Sequence, residues 1–389
     1  MNNLKIHEKP TEYTAEDVGY IGEKISILDE HFKKIVAEKR IQGASYIISR
    51  YGKVFAHKSM GKLRSEEDDD RDLLPDSIRR IASITKIFTA VAIMQLVERG
   101  KMRIHQPVMD FLDEFKKPPF DKITIFNFLT HTSGICPDPG AYFEPYPANW
   151  GWYDNEAWIT EILRGHTRIN TGEWSYSSSG YSLLGEIIKR VSGISYQEYI
   201  RKNILEPLDM KDSGFGIDDI IDDKEAIEKR LERVCFNWNF TEEELDKWIE
   251  RERNRPDWAS PPAGGGLFST LEDLQKFGQM LLNKGTFNGK QLVSRKGVEA
   301  LTRNHLKDVK DYCWGTEGAE KEYGLGFRVH SNFLLLSPGT FSHEGAGLCA
   351  LYMDPVEDLL AAYFCPLTGD EWVEEAVNNT LNIIWSGLI

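Results

Sequence analysis

The chain has little that would tie it to a membrane, to nucleic acid or to an oxidising compartment. No apolar run approaches the roughly 18 residues that span a bilayer, although hydrophobic residues make up 41% of the 389. The first twenty residues carry Glu8, Glu12, Glu16 and Asp17 and lack an apolar stretch, so no secretory leader is expected and the cytoplasm is the expected compartment. Basic residues are outnumbered, 47 against 61 acidic ones, for a net charge of -14. An acidic surplus spread along the chain repels phosphate backbones, which makes nucleic acid an unexpected partner. The five cysteines (Cys136, Cys235, Cys313, Cys349, Cys365) are widely spaced and form no Cys-x-x-Cys pair, a pattern of free thiols rather than disulfides or zinc. Gly-x-Ser-x-Gly and His-Glu-x-x-His are missing, and no Gly-Lys-Ser or Gly-Lys-Thr follows Gly264-Gly265-Gly266. These gaps disfavour an α/β-hydrolase elbow, a zinc peptidase and a phosphate loop, and no metal or cofactor is expected.

What is present is enough length for two domains or subdomains, since single cores stop growing at about 250 to 300 residues. Residues 1 to 17 read as a polar arm, followed by helical spacing at Ile21, Ile25, Leu28, Phe32 and Ile35. Gly43 to Arg50 and Lys53 to His57, joined by Tyr51-Gly52, read as a hairpin. Helical patterns then dominate, interrupted by the acidic loop Arg64 to Asp76, the aromatic and proline-rich stretch Tyr142 to Asp154, and a charged stretch from Gly216 to Trp258 whose second helix is opened by a Thr241/Glu244 capping box. The tail turns to strands at Gly324 to Val329, Asn332 to Leu336, Phe341 to Glu344, Leu348 to Met353 and Leu359 to Cys365, then a helix from Asp370 to Trp385. The expected fold is α/β (α+β): one antiparallel sheet built by both chain ends and flanked by helices, with a mostly helical domain inserted. The expected boundaries are 18–82 with 259–389 for the sheet domain, and 83–258 for the helical domain, with 217–258 as a lid or insertion. A cleft between the two is the expected site.

The stretch Ile81-Ala82-Ser83-Ile84-Thr85-Lys86 opens an apolar helical run that Gly100 closes. Residues i and i+3 share a helix face, so the Ser83 hydroxyl and the Lys86 amine are placed within reach by local geometry alone. Ser59-Met60-Gly61-Lys62 repeats the Ser-x-x-Lys letters, but it follows a strand-like run beside a glycine, where nothing holds the two side chains together. His131 precedes a Thr-Ser-Gly turn and reads as structural.

Three patterns follow in order: Ser83-x-x-Lys86, Tyr176-Ser177-Ser178 and His343-Glu344-Gly345. Together they resemble the serine β-lactamase and penicillin-binding-protein superfamily, in its class C β-lactamase-related branch of esterases and D-amino-acid peptidases. Leu129 to Gly134, Tyr176 to Gly193, Ile204 to Leu208 and Gly264 to Thr270 extend the likeness over most of the chain beyond residue 20. The resemblance implies a β-lactamase/transpeptidase-like fold and acyl transfer, with Ser83 as nucleophile, Lys86 as base and Tyr176 as proton carrier. It implies an oxyanion hole from the backbone N–H groups of Ser83 and Ala346, and substrate binding by Ser178, His343, Glu344 and Gly345. Tyr153-Asp154-Asn155 is a literal Tyr-x-Asn, yet the context Gly180-Tyr181-Ser182-Leu183-Leu184-Gly185 favours Tyr176.

Two departures stand out. Ser178 replaces the usual asparagine, and Glu344 stands where lactamases place a threonine or serine. An acid facing the cleft at 344 would repel penicillins and peptide carboxylates, which favours esters, amides or amine-bearing substrates unless strand alternation turns it away. The expected protein is a serine hydrolase that acylates Ser83 with a small ester, amide or β-lactam and then hydrolyses the acyl-enzyme, with no membrane partner. The alternative is a non-catalytic penicillin- or peptide-binding sensor domain that retains the fold.

Overall fold

The computed structural model describes residues 4–64, 70–138, 155–164, 173–217, 220, 222–235, 242–311, 313, 318–369 and 372–389. Residues 65–69 of the acidic loop, the aromatic stretch 142–154, the Tyr153 alternative and the Thr241 cap fall outside them. A seven-stranded sheet joins the two chain ends. Its strands are Ile6–Glu8 (β1), Gly43–Arg50 (β2), Lys53–Gly61 (β3), Arg328–His330 (β4), Thr340–Gly345 (β5), Cys349–Asp354 (β6) and Leu359–Phe364 (β7). Their order is β1-β3-β2-β7-β6-β5-β4, and every pairing is antiparallel.

Period-two alternation divides the strand side chains between two cores. Along β7, Leu359, Ala361 and Tyr363 join one apolar cluster while Leu360, Ala362 and Phe364 join the other. Along β6, Ala350 and Tyr352 oppose Cys349, Leu351 and Met353 in the same way. Both faces are therefore covered, and the strands read as continuous apolar runs for that reason. On the first face lie helices Glu23–Ala37 (α1) and Glu375–Trp385 (α5), which bring Leu28, Phe32, Leu381 and Trp385 onto Tyr46 and Tyr352. The Trp385 indole donates to the buried Asp354 carboxylate at 2.7 Å. We expect Trp385→Phe to leave that oxygen one donor short and to cost about 1 to 3 kcal/mol, read as a lower midpoint in urea denaturation.

The second face carries helix Leu271–Leu282 (α4) and, beyond it, helix Thr85–Glu98 (α2). Gly278 lets α4 approach closely, because a Cβ there would overlap Leu360. Phe277 of α4 stacks on Phe88 of α2 with ring centroids 3.8 Å apart. Every residue of α2 from Thr85 to Leu96 is buried, so this helix is wrapped on all sides instead of showing one solvated face. Two of its polar side chains reach neighbouring backbone: Thr89 Oγ1 donates to the Ala263 carbonyl at 2.8 Å, and Gln95 Nε2 donates to the carbonyls of Asn203 and Leu292, while Gln95 Oε1 finds no partner among the described residues. Helix Ser178–Ser192 (α3) packs against α2 through the same cluster, with Leu183, Leu184 and Ile187 buried, and ends at Gly193 in the left-handed conformation.

Two sequence expectations change. The polar arm is not wholly free, because Ile6–Glu8 pairs with Lys58–Met60 as the sheet's edge strand. No strand forms at Asn332 to Leu336: Leu334 has φ 53°, and Phe333, Leu334 and Leu335 are exposed in a turn that bears no ladder hydrogen bonds. The charged stretch holds helices Lys224–Leu231 and Glu242–Arg253, and Val234 and Cys235 between them pair in parallel with Ile78 and Arg79 just ahead of Ser83. Among the described residues no helix is long and apolar enough to cross a membrane.

Candidate active site

Ser83 sits in a short 3-10 turn, Ala82–Ile84, directly ahead of α2. Ala82 before it adopts φ 44°, a sparsely populated conformation for a residue with a Cβ and of the kind that collects at functional sites. Lys86, in the first turn of α2, brings Nζ to 3.0 Å from Ser83 Oγ. The local i, i+3 geometry thus places the amine against a hydroxyl that is only partly buried, while Lys86 itself is 0% exposed. The duplicate motif behaves differently. Ser59 Oγ donates to the Leu73 carbonyl and Lys62 Nζ to that of Asp70, so the two side chains have separate partners.

Lys86 has two further acceptors. Nζ donates to the Gly264 carbonyl at 2.6 Å and to Ser178 Oγ at 3.0 Å. Gly264 is held there because Leu267 N–H donates to Thr85 Oγ1 and Ala263 accepts from Thr89, which clamps the Pro261 to Gly266 loop onto α2. A Cβ at Gly264 would sit 3.0 Å from the Ser178 carbonyl. Burial lowers the Lys86 pKa to about 8; Asp138 opposes the shift and Arg80 adds to it.

Tyr176 arrives from the segment before α3. Its ring lies 4.7 Å from Lys86 Nζ, and its phenol hydrogen-bonds Ser83. Burial, then Tyr323 and Asp138, hold this phenol well above its ordinary pKa, so it stays protonated at neutral pH. Lys86 is therefore the group of the pair whose pKa lies near the working range. His131 clamps Tyr176 on both sides in sequence: its carbonyl accepts from Ser175 N–H at 2.8 Å and its Nδ1 accepts from Ser177 N–H at 3.1 Å. The imidazole also stacks on the Tyr176 ring at 4.2 Å. Burial keeps His131 neutral, in accord with a structural role.

The third motif approaches through the tip of β5. Gly345 abuts the Ile81 carbonyl and the Ala82 side chain, and a Cβ there would collide with that carbonyl and with Cys349 Sγ, 2.5 Å away. The exposed turn residue Ala346 follows, so its backbone is carried to the edge of the Ser83 turn. His343 shares a face with its cross-strand partner Leu351 and points to the helical side. Its Nδ1–H donates to the Glu344 carbonyl at 2.7 Å, and Nε2 faces Tyr323 Oη at 3.4 Å. Both nitrogens are occupied within the protein, so the ring forms wall and offers no free donor to a ligand.

The expectation that Glu344 binds substrate is corrected. Strand alternation turns it to the opposite face, with its partner Ala350 in the other core. There its carboxylate accepts from Arg328 at 2.6 Å and from the Tyr352 hydroxyl. Its charge is neutralised on the far face of the sheet, away from Ser83.

Sequence reasoning missed Asp138 and Gly264. Asp138 Oδ1 accepts from Ser178 N–H at 2.6 Å and Oδ2 from Ser178 Oγ–H at 2.7 Å. The signal for Asp138 was its place just after the Thr130 to Gly134 turn, and that for Gly264 was the glycine-rich loop itself. Neither follows a spacing rule.

A family model described as Beta-lactamase matches residues 28–381. The chain belongs to the Beta-lactamase family. Protein Rv1367c of Mycobacterium tuberculosis is 28% identical over 336 residues, covering 75% of this chain and 78% of that protein. Esterase EstB of Burkholderia gladioli is 27% identical over 201 residues, or 48% of this chain and 50% of the esterase. Among solved structures, the octameric penicillin-binding protein homologue from Pyrococcus abyssi superposes with a TM-score of 0.71 at 26% identity, over 94% of this chain and 78% of its own. With this fold and family the chain is a serine hydrolase.

Proposed function

We propose that this Beta-lactamase-family hydrolase uses Ser83 to attack the carbonyl of a small ester or amide, β-lactams included, and then hydrolyses the acyl-enzyme. The observation that carries the reading is the contact of 3.0 Å between Ser83 Oγ and a buried lysine amine whose pKa is lowered to about 8. Neutral Lys86 takes the hydroxyl proton as Oγ bonds to the carbonyl carbon. Tyr176, already hydrogen-bonded to Ser83, hands a proton to the departing alkoxide or amine. The backbone N–H groups of Ser83 and Ala346 receive the developing oxyanion. Lys86 returns its proton to the Tyr176 phenolate, so in the second half the neutral amine takes a proton from a water as that water attacks the acyl carbon, and Tyr176 protonates the departing Ser83 Oγ and is reprotonated by Lys86.

Because Glu344 is spent on Arg328, no acid from the third motif repels an anionic substrate. The earlier reason to set penicillins aside therefore lapses, and esters lead on the strength of the similarity to an esterase.

The test treats wild type and Ser83→Ala with a fluorophosphonate probe and a fluorescent penicillin, with peptide mass spectrometry to locate the adduct. One label per chain on Ser83, lost in Ser83→Ala, is the expected result. A wild type labelled by neither reagent, or labelled elsewhere, overturns the proposal. A panel of p-nitrophenyl esters, nitrocefin and D-alanyl amides then ranks the substrate classes.

A further inference from the structure

We propose that Asp138 is a positioning residue that orients the catalytic lysine by pinning the hydroxyl of Ser178, an inference that rests on Ser83 acylation as proposed above. The carboxylate of Asp138 only accepts, and it takes both the N–H of Ser178 at 2.6 Å and its Oγ–H at 2.7 Å. With its proton committed there, Ser178 Oγ has only lone pairs to offer Lys86 Nζ, 3.0 Å away. The Gly264 carbonyl, at 2.6 Å, is an acceptor in any state. Two of the three positions around Nζ are thus reserved for N–H bonds, and the third faces Ser83 Oγ at 3.0 Å.

A neutral amine has two N–H bonds and one lone pair. When Lys86 loses a proton, both remaining hydrogens are held by Gly264 and Ser178, and the lone pair can point only at the Ser83 hydroxyl. The base is aimed before substrate arrives, and the proton it accepts is the one that leaves Ser83 as the acyl bond forms. Asp138 N–H also donates to the Tyr176 carbonyl at 2.9 Å, which ties the loop that carries the carboxylate to the segment that carries the phenol. Ser178 in place of an amide thus works through a second residue from another loop.

Among the described residues, the surroundings of Lys86 contain one anion. Asp138 faces it through Ser178, and Arg80 lies on the strand before Ser83. The rings of Tyr176 and Tyr181 lie 4.7 and 5.6 Å from Nζ, and burial keeps both phenols protonated. Burial likewise keeps His131 and His343, the remaining titratable neighbours among the described residues, uncharged. Asp138 is the group that holds the Lys86 pKa up against burial and Arg80, so its neutralisation lowers that pKa further.

Asp138→Asn tests this with little change of shape. The amide still accepts from Ser178 N–H, but its NH2 now donates to Ser178 Oγ, whose freed hydrogen turns to the Lys86 lone pair and competes with Ser83. We expect acylation by a p-nitrophenyl ester at pH 9 to fall about 10- to 100-fold. The acid limb of the rate profile should also move to lower pH, a shift that a purely structural role would not produce. Ser178→Ala should lower the rate by a similar factor, and adding Asp138→Asn to it should change the rate less than threefold, since both act through one hydroxyl.

Labelling of wild type at Ser83 is measured first. Its absence overturns the acylation reading itself. Labelled wild type, with Asp138→Asn within threefold of its rate and an unmoved acid limb, overturns only the role of Asp138. So do losses in the two single variants that add in full in the double. If Asp138→Asn melts below the assay temperature, Ser178→Ala decides alone, and a wild-type rate there overturns the proposal.

Discussion

Replacing Lys86 by alanine is expected to slow acylation of Ser83 by about 1,000- to 10,000-fold while the protein stays folded. The loss is large because no neighbour among the described residues can take over. Tyr176 keeps its proton at neutral pH, and His131 and His343 have their acceptor nitrogens engaged by Ser177 N–H and the Tyr323 hydroxyl. Lys86→Arg should do no better, since a guanidinium does not give up a proton in this range.

The pH dependence follows from the same residue. Protonated Lys86 has no lone pair for Ser83, and its folded-state pKa is about 8. The acylation rate should therefore climb tenfold per pH unit below about pH 8 and level off above it. Stopped-flow release of p-nitrophenol between pH 6 and 10 measures both effects. A Lys86→Ala enzyme within tenfold of wild type, or a flat profile, would remove Lys86 as the base.

Gly345→Ala is expected to lower the acylation rate about 100- to 1,000-fold and to destabilise the fold by about 1 to 3 kcal/mol. One methyl group has this effect because it has nowhere to go. It meets the Ile81 carbonyl on one side and Cys349 Sγ on the other, and Cys349 is itself fully buried. Relief requires the tip of β5 to back away from the Ser83 turn. The Ala346 N–H then recedes from the oxyanion, and rate and stability fall together. Thermal denaturation and kcat/KM measured on one preparation check the pair. Loss of stability alone, at wild-type kcat/KM, would show that the tip does not donate to the oxyanion.

Much of the fold was legible because its signals are local. The hairpin at Tyr51-Gly52 needs two residues with positive φ, and the chain supplies φ 56° and 74° there. Strands β5 to β7 were visible as short apolar runs. The run at Phe333 to Leu336 misled for the same reason: apolar letters suggest burial, and a turn was where the chain put them. The Ser83–Lys86 pair was legible because a helical turn is enough to bring positions three apart together.

The remaining site chemistry came from contacts with no sequence period. Lys86 meets Gly264 across 178 positions and Ser178 across 92, and Ser178 meets Asp138 across 40. Hydrogen bonds at such separations impose no recurring pattern on the letters, so Asp138 looked like any loop carboxylate. The direction of Glu344 was left open by its letter and decided by register, since pairing with Ala350 commits it to the face where Arg328 and Tyr352 wait. By itself, the sequence determined the pairing of the Ser83 hydroxyl with the Lys86 amine and the two-faced sheet, because helix turn and strand pleat are properties of a few consecutive residues. Only the folded chain decided which partners surround that amine and which charges are turned away from it, because those depend on how distant segments stack.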